Sequence, residues 1–76
     1  MTLEDFVLAF AEQFDETPVE EFNSSTDYKE LDEWSSLTAL SIIALVKENF
    51  DKKITGAEIR NCASIEELYK LIQDKE

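Results

Sequence analysis

The sequence predicts an all-α fold, a four-helix bundle with a long ordered first loop and a short third helix. Three observations carry that expectation. Apolar residues recur at helical spacing in successive stretches of the chain. Helix-start signatures stand ahead of several of those stretches. Gly56 and Pro18 are the only glycine and proline in 76 residues, which disfavours the tight glycine-dependent hairpins of β-folds. A chain of this length has material for one core, so residues 1–76 read as a single domain.

The first helix is predicted over residues 3–14, where Leu3, Phe6, Val7, Phe10 and Phe14 share a face. Thr2 caps it, with Asp5 three positions on in the manner of a capping box. Residues 15–34 then hold eight acids against one base, Lys29, and supply −7 of the net charge of −11. A connection this long is uncommon in a small domain unless it carries short structure of its own. Thr17-Pro18-Val19-Glu20 reads as one capped helical turn with proline at the first helical position. Phe22, Tyr28, Leu31 and Trp34 are spaced to pin the loop to a core, so an ordered connection is expected.

In the next helix, Leu37, Leu40, Ile43, Ala44, Val46 and Phe50 form the expected inward stripe, widened by Ile42 and Leu45. So apolar a helix should be the most buried of the set. Thr55 with Glu58 forms a second capping box, and Ile54 with Ile59 a hydrophobic staple, predicting a short helix over 56–61. Ser64 with Glu67 opens the last helix, with Ile65, Leu68, Tyr69 and Ile72 facing inward.

Charge and composition narrow the function. A net charge of −11 argues against nucleic acid and against anionic membrane surfaces, which both need clustered lysine and arginine. No apolar run approaches a bilayer span, and the N-terminus lacks the basic and apolar regions of a signal peptide. Cys62 is alone, which fits a reducing compartment, and a cytoplasmic monomer is expected.

The chemistry available is sparse. There is no histidine, so neither a Ser-His-Asp nor a Cys-His arrangement can be built. Cys62 between Ile59 and Ile65 reads as a packed thiol. The acids lack the spacing of a calcium loop, no glycine-rich phosphate loop is present, and no metal site is expected. The protein is not expected to be an enzyme.

That leaves the two serines of DEWSSLTAL, residues 32–40. Serines before an apolar helix ordinarily cap it. The other three helices carry an acid at the third position after the cap (Asp5, Glu58 and Glu67), whereas here that place is taken by Thr38 or Ala39. A helix start free of carboxylates tolerates an anion, such as a phosphate held by free N–H groups.

With Ser36 and Leu37 opening SSLTALSIIALVKENF, and Ile54 following, the chain resembles the acyl carrier protein family over nearly all of its length. The family's signature is Asp-Ser-Leu at the start of the second helix. The resemblance implies a 4′-phosphopantetheine arm, derived from coenzyme A, on Ser36, with its terminal thiol holding an acyl, aminoacyl or polyketide intermediate as a thioester. It implies as partners a phosphopantetheinyl transferase, a loading ligase and acyl-processing enzymes. Around Ser36, Ser35 stands at the family's Asp as the helix cap, and Leu37 is expected to point inward and fix the serine's position. Trp34 is expected to pack the loop onto the bundle, with contact to the arm as a second reading.

The family's second helix is usually lined with acids that meet basic partners. Here residues 34–55 sum to +1, and Thr38 and Ser41 are the partner contacts expected on that helix. The acidic field lies in the preceding loop, where Asp27, Glu30, Asp32 and Glu33 either meet partners or only keep the protein soluble. The competing reading is a scaffold module of the same fold that carries no arm.

Overall fold

The computed structural model of the protein describes residues 1–75. Four helices follow one another: α1 (Leu3–Ala11), α2 (Ser36–Phe50), α3 (Gly56–Asn61) and α4 (Ile65–Asp74). Single 3-10 turns at Val19–Glu21 and Tyr28–Glu30 lie in the first loop, and no strand occurs among the described residues. This is the small helical bundle that the apolar spacing predicts.

Capping follows the sequence closely. Thr2 and Asp5 form a complete reciprocal box, as do Thr55 and Glu58. Ser64 Oγ accepts the Glu67 N–H at 3.2 Å, but the Glu67 carboxylate does not return the bond, so α4 has half the expected box. The next two donors of this helix start are taken by the first loop instead. The Thr26 and Ser24 carbonyls accept the N–H groups of Ile65 and Glu66, at 3.2 and 2.9 Å. Donors that a helix start leaves unpaired are thus used to dock the loop.

Helix α1 ends three residues earlier than its apolar stripe suggests, at Ala11 instead of residue 14. The reason is Glu33. Its carboxylate accepts the backbone N–H of Asp15 at 2.7 Å, of Glu16 at 3.1 Å and of Thr17 at 2.9 Å, and the Thr17 hydroxyl at 2.8 Å. Those amides would otherwise continue the helical ladder. Phe14 still reaches the core, because tightened bonds from Gln13 to Phe10 and from Phe14 to Ala11 turn the chain inward. The Thr17 hydroxyl is therefore not a helix cap. The turn that follows begins at Val19, with Pro18 in extended conformation one position before it, and not at its first helical position as expected.

The core has two aromatic ends. Phe10, Phe14, Phe22, Tyr28 and Trp34 cluster under the first loop, and Phe6 joins Phe50 and Tyr69 at the opposite end. Phe6 and Phe10 touch edge to face and connect the two. Ile42, Val46, Ile59, Ile65, Leu68 and Ile72 fill the interior between helices. The loop is fastened to α3 as well. The buried Tyr28 hydroxyl donates to the Ile59 carbonyl, and Lys29 Nζ donates to the Arg60 carbonyl at 3.0 Å. Burial pushes the Tyr28 phenol far above its ordinary pKa, so it stays a neutral donor. Cys62 is buried in the core and its thiol pKa is likewise raised by burial. As the sequence implied, it is a packed side chain.

Helix α2 corrects the expected packing. Its buried face is Thr38, Ile42, Leu45 and Val46, while Leu37 is 76% exposed and Leu40 60% exposed. Ala44 is exposed and Ile43 only partly buried. The helix is apolar nearly all round and carries two helical stripes, one through Leu37, Leu40 and Ala44 and one through Ile42, Leu45 and Val46. Periodicity alone does not choose between them. Thr38 decides the rotation at the helix start. Its hydroxyl lies 3.2 Å from Ser35 Oγ and donates to the Glu33 carbonyl at 3.3 Å, so it faces inward under the loop.

Candidate functional site

Ser35 and Ser36 are adjacent, yet the fold gives their hydroxyls different surroundings. Ser35 has extended dihedrals at the N-cap, and its Oγ accepts the Thr38 N–H at 3.4 Å. That oxygen also lies within hydrogen-bond distance of Thr38 Oγ1. Ser36 is the first helical residue, is exposed, and among the described residues its side chain has no hydrogen-bond partner. Nor do the N–H groups of Ser36 and Leu37 find a partner among the described residues. The first turn of α2 contains no acid. An exposed hydroxyl therefore sits beside two open donors, at the positive end of a fifteen-residue helix.

A cleft of about 290 Å³ opens beside this serine, lined by Trp34, Ser35, Ser36, Ala39, Gly56, Ile59 and Arg60. Its walls come from the loop end, α2 and α3. Trp34 is partly exposed and packs on Tyr28 at 4.9 Å and parallel to Phe10 at 6.4 Å. The indole packs the loop onto the core, as expected, and Trp34 also lines the cleft. The cleft contains no acid, although the chain as a whole carries −11.

The residues expected to meet partners separate into two groups. Glu30 and Asp32 are exposed in the loop before α2. Asp27 is partly exposed, and its carboxylate caps the second 3-10 turn by accepting the Lys29 N–H at 3.1 Å. Ser41 is partly exposed and donates to the Leu37 carbonyl at 3.2 Å. Thr38 is buried, which removes it as a partner contact. Glu33 has its carboxylate spent within the loop. Burial raises its pKa, but the Thr17 hydroxyl and the Asp15, Glu16 and Thr17 amides outweigh burial and hold it below the usual glutamate range. Its charge is a tie for the loop.

Leu37 does not anchor Ser36 from within, as the sequence suggested. It stands outside with Leu40, and together they give the α2 start an exposed apolar flank. Arg60 was not singled out from the sequence. The available signal was its being the only arginine in the chain.

No helix of the described residues is long and apolar enough to cross a membrane, and no group of three metal-ligating side chains occurs among them. The family model described as phosphopantetheine attachment site matches residues 5–72 of the chain. Neither a curated protein sequence nor a solved structure matches it.

Proposed function

From the premise that the chain belongs to the phosphopantetheine attachment site family, whose members bind 4′-phosphopantetheine covalently, we propose that Ser36 carries the arm. On this reading the protein is a carrier that holds acyl, aminoacyl or polyketide intermediates and presents them to enzymes. The bound group supplies a thiol at the end of a flexible chain, on which the cargo rides as a thioester. The protein's own task is to expose one hydroxyl, to seat the phosphate and to be recognised.

The observation that carries the assignment is the contrast between the two serines. Ser35 Oγ is engaged by Thr38, whereas Ser36 Oγ is exposed and unpartnered among the described residues. The open N–H groups of Ser36 and Leu37 suit a phosphate oxygen at the same place. Trp34 and Ala39, both partly exposed, give the start of the arm an apolar wall. No side chain of this site needs to do chemistry, in keeping with a family whose carrier domains are typically non-catalytic.

Carrier domains of this family interact with a phosphopantetheinyl transferase and with processing enzymes. For this chain we place the contact surface on exposed Leu37 and Leu40, with Ser41 on the same helix and Asp27, Glu30 and Asp32 in the loop before it. Exposed apolar residues on the helix and acids in the loop suit basic partner surfaces with an apolar centre. The lone buried thiol of Cys62 is in keeping with a reducing, cytoplasmic setting.

Intact-mass analysis of the protein isolated from its own cells reads arm and cargo together. The expected result is one phosphopantetheine, with or without an acyl group, which fragmentation of the intact protein places on Ser36. The scaffold reading draws on Ser35, which leaves no acid beside Ser36. It predicts an unmodified protein in those cells and partner binding that survives Ser36→Ala.

A further inference from the structure

We propose that Arg60 is the cation that binds the phosphodiester of the arm and fixes how the arm leaves Ser36. This inference rests on the attachment at Ser36. Arg60 and Ser36 line the same cleft, one from α3 and one from the start of α2. The side chain of Arg60 folds back along α3 toward the helix start, with Nη1 3.5 Å from the position of a Cβ on Gly56. It forms no ion pair and no side-chain hydrogen bond among the described residues, whereas Lys47, Lys70 and Lys75 are all paired. The nearby Lys29 is already committed, its ammonium donating to the Arg60 carbonyl.

Charge balance gives this free guanidinium its role. Modification adds a negative phosphodiester directly after a loop that already carries −7, in a chain at −11. A phosphate there is repelled by the loop unless a cation stands close to it. Arg60 is the only charged residue lining the cleft, and the planar guanidinium suits two phosphate oxygens at once. Trp34 and Ala39, partly exposed above the buried Ile59, form the apolar remainder of the cleft. The polar and apolar parts match a phosphate followed by a branched hydrocarbon segment.

Because the chain has one arginine and the unloaded modified protein one phosphorus, both groups give single, unambiguous resonances. The protein is modified with coenzyme A and a broad-specificity transferase, and intact mass verifies one arm before any spectrum is read. The Arg60 Nε–H resonance is expected to shift between unmodified and modified forms. The ³¹P resonance is expected to shift in Arg60→Gln, to return only in part in Arg60→Lys, which keeps the charge without the two-oxygen fork, and to be unmoved in Lys70→Gln. The unloaded form carries no cargo, so a response there belongs to the phosphate. An Arg60 resonance unchanged by verified modification, or one that moves only after a carboxylated cargo is loaded, overturns the inference and leaves the attachment standing. Absence of the mass gain itself overturns both.

Discussion

Helices α2 and α4 begin alike and face the solvent differently. Each is capped by a serine whose Oγ accepts the N–H three residues on, from Thr38 in α2 and from Glu67 in α4. Beyond the cap the two diverge. The first turn of α4 holds Glu66 and Glu67, and its leading N–H groups are taken by the Ser24 and Thr26 carbonyls. The first turn of α2 holds no acid, and its leading N–H groups are open among the described residues. Helix α4 buries Ile65, Leu68 and Ile72 and leaves Lys70, Gln73 and Asp74 outside. Helix α2 leaves Leu37 and Leu40 outside. A helix start that serves only stability satisfies its donors and screens its dipole. The start of α2 does neither, and its apolar flank is exposed, as the proposed attachment site and contact surface would need.

Substitutions on the two helices put this contrast to the test. The largest effect on stability is expected from leucines that look alike in the sequence. Leu68→Ala removes a fully buried side chain of α4 and should cost about 2–5 kcal/mol in denaturant unfolding. Leu40→Ala should stay within about 0.5 kcal/mol, and instead slow modification by a transferase. Equal losses of stability from both would remove the distinction between the faces.

Glu33→Gln tests whether the loop before α2 is held by charge. A carboxyl whose pKa is depressed by folding stabilises the native state above its unfolded pKa, near 4.3 for glutamate. That contribution is lost as pH falls through the lower folded value. Wild type should therefore exceed the variant most above about pH 5, with the gap closing below about pH 4. Fluorescence of the single tryptophan, Trp34, packed on Tyr28 beside the loop, follows the transition. A gap that widens in acid would contradict the tie.

Smaller effects separate the caps. Ser64→Ala should cost about 1 kcal/mol through the lost α4 cap and leave attachment intact. Ser35→Asp keeps a cap and adds the acid that α2 lacks, for a gain of about 0.3–1 kcal/mol that salt diminishes. Thermal unfolding at low and high ionic strength distinguishes the two.

How much of this could be read in advance follows from the kind of interaction involved. Caps and staples are local, so Thr2, Thr55 and Ser64 marked their helices within the chain, and Cys62 between isoleucines marked a packed thiol. The end of α1 was not legible, because the Glu33 carboxylate that ends it lies 16 to 18 residues downstream. The rotation of α2 was not legible either, since an almost wholly apolar helix offers two stripes and Thr38, a polar residue, marks the buried one. Arg60 and Ser36 line one cleft whose walls are far apart in sequence, and spacing along the chain does not report that.

The central claim is that the two adjacent serines have been given different tasks. Intact mass after incubation with coenzyme A and a broad-specificity transferase measures it directly. One phosphopantetheine should be gained by the wild type and by Ser35→Ala, and none by Ser36→Ala. A gain that persists in Ser36→Ala and disappears in Ser35→Ala would contradict the account, as would a wild-type protein that no transferase modifies.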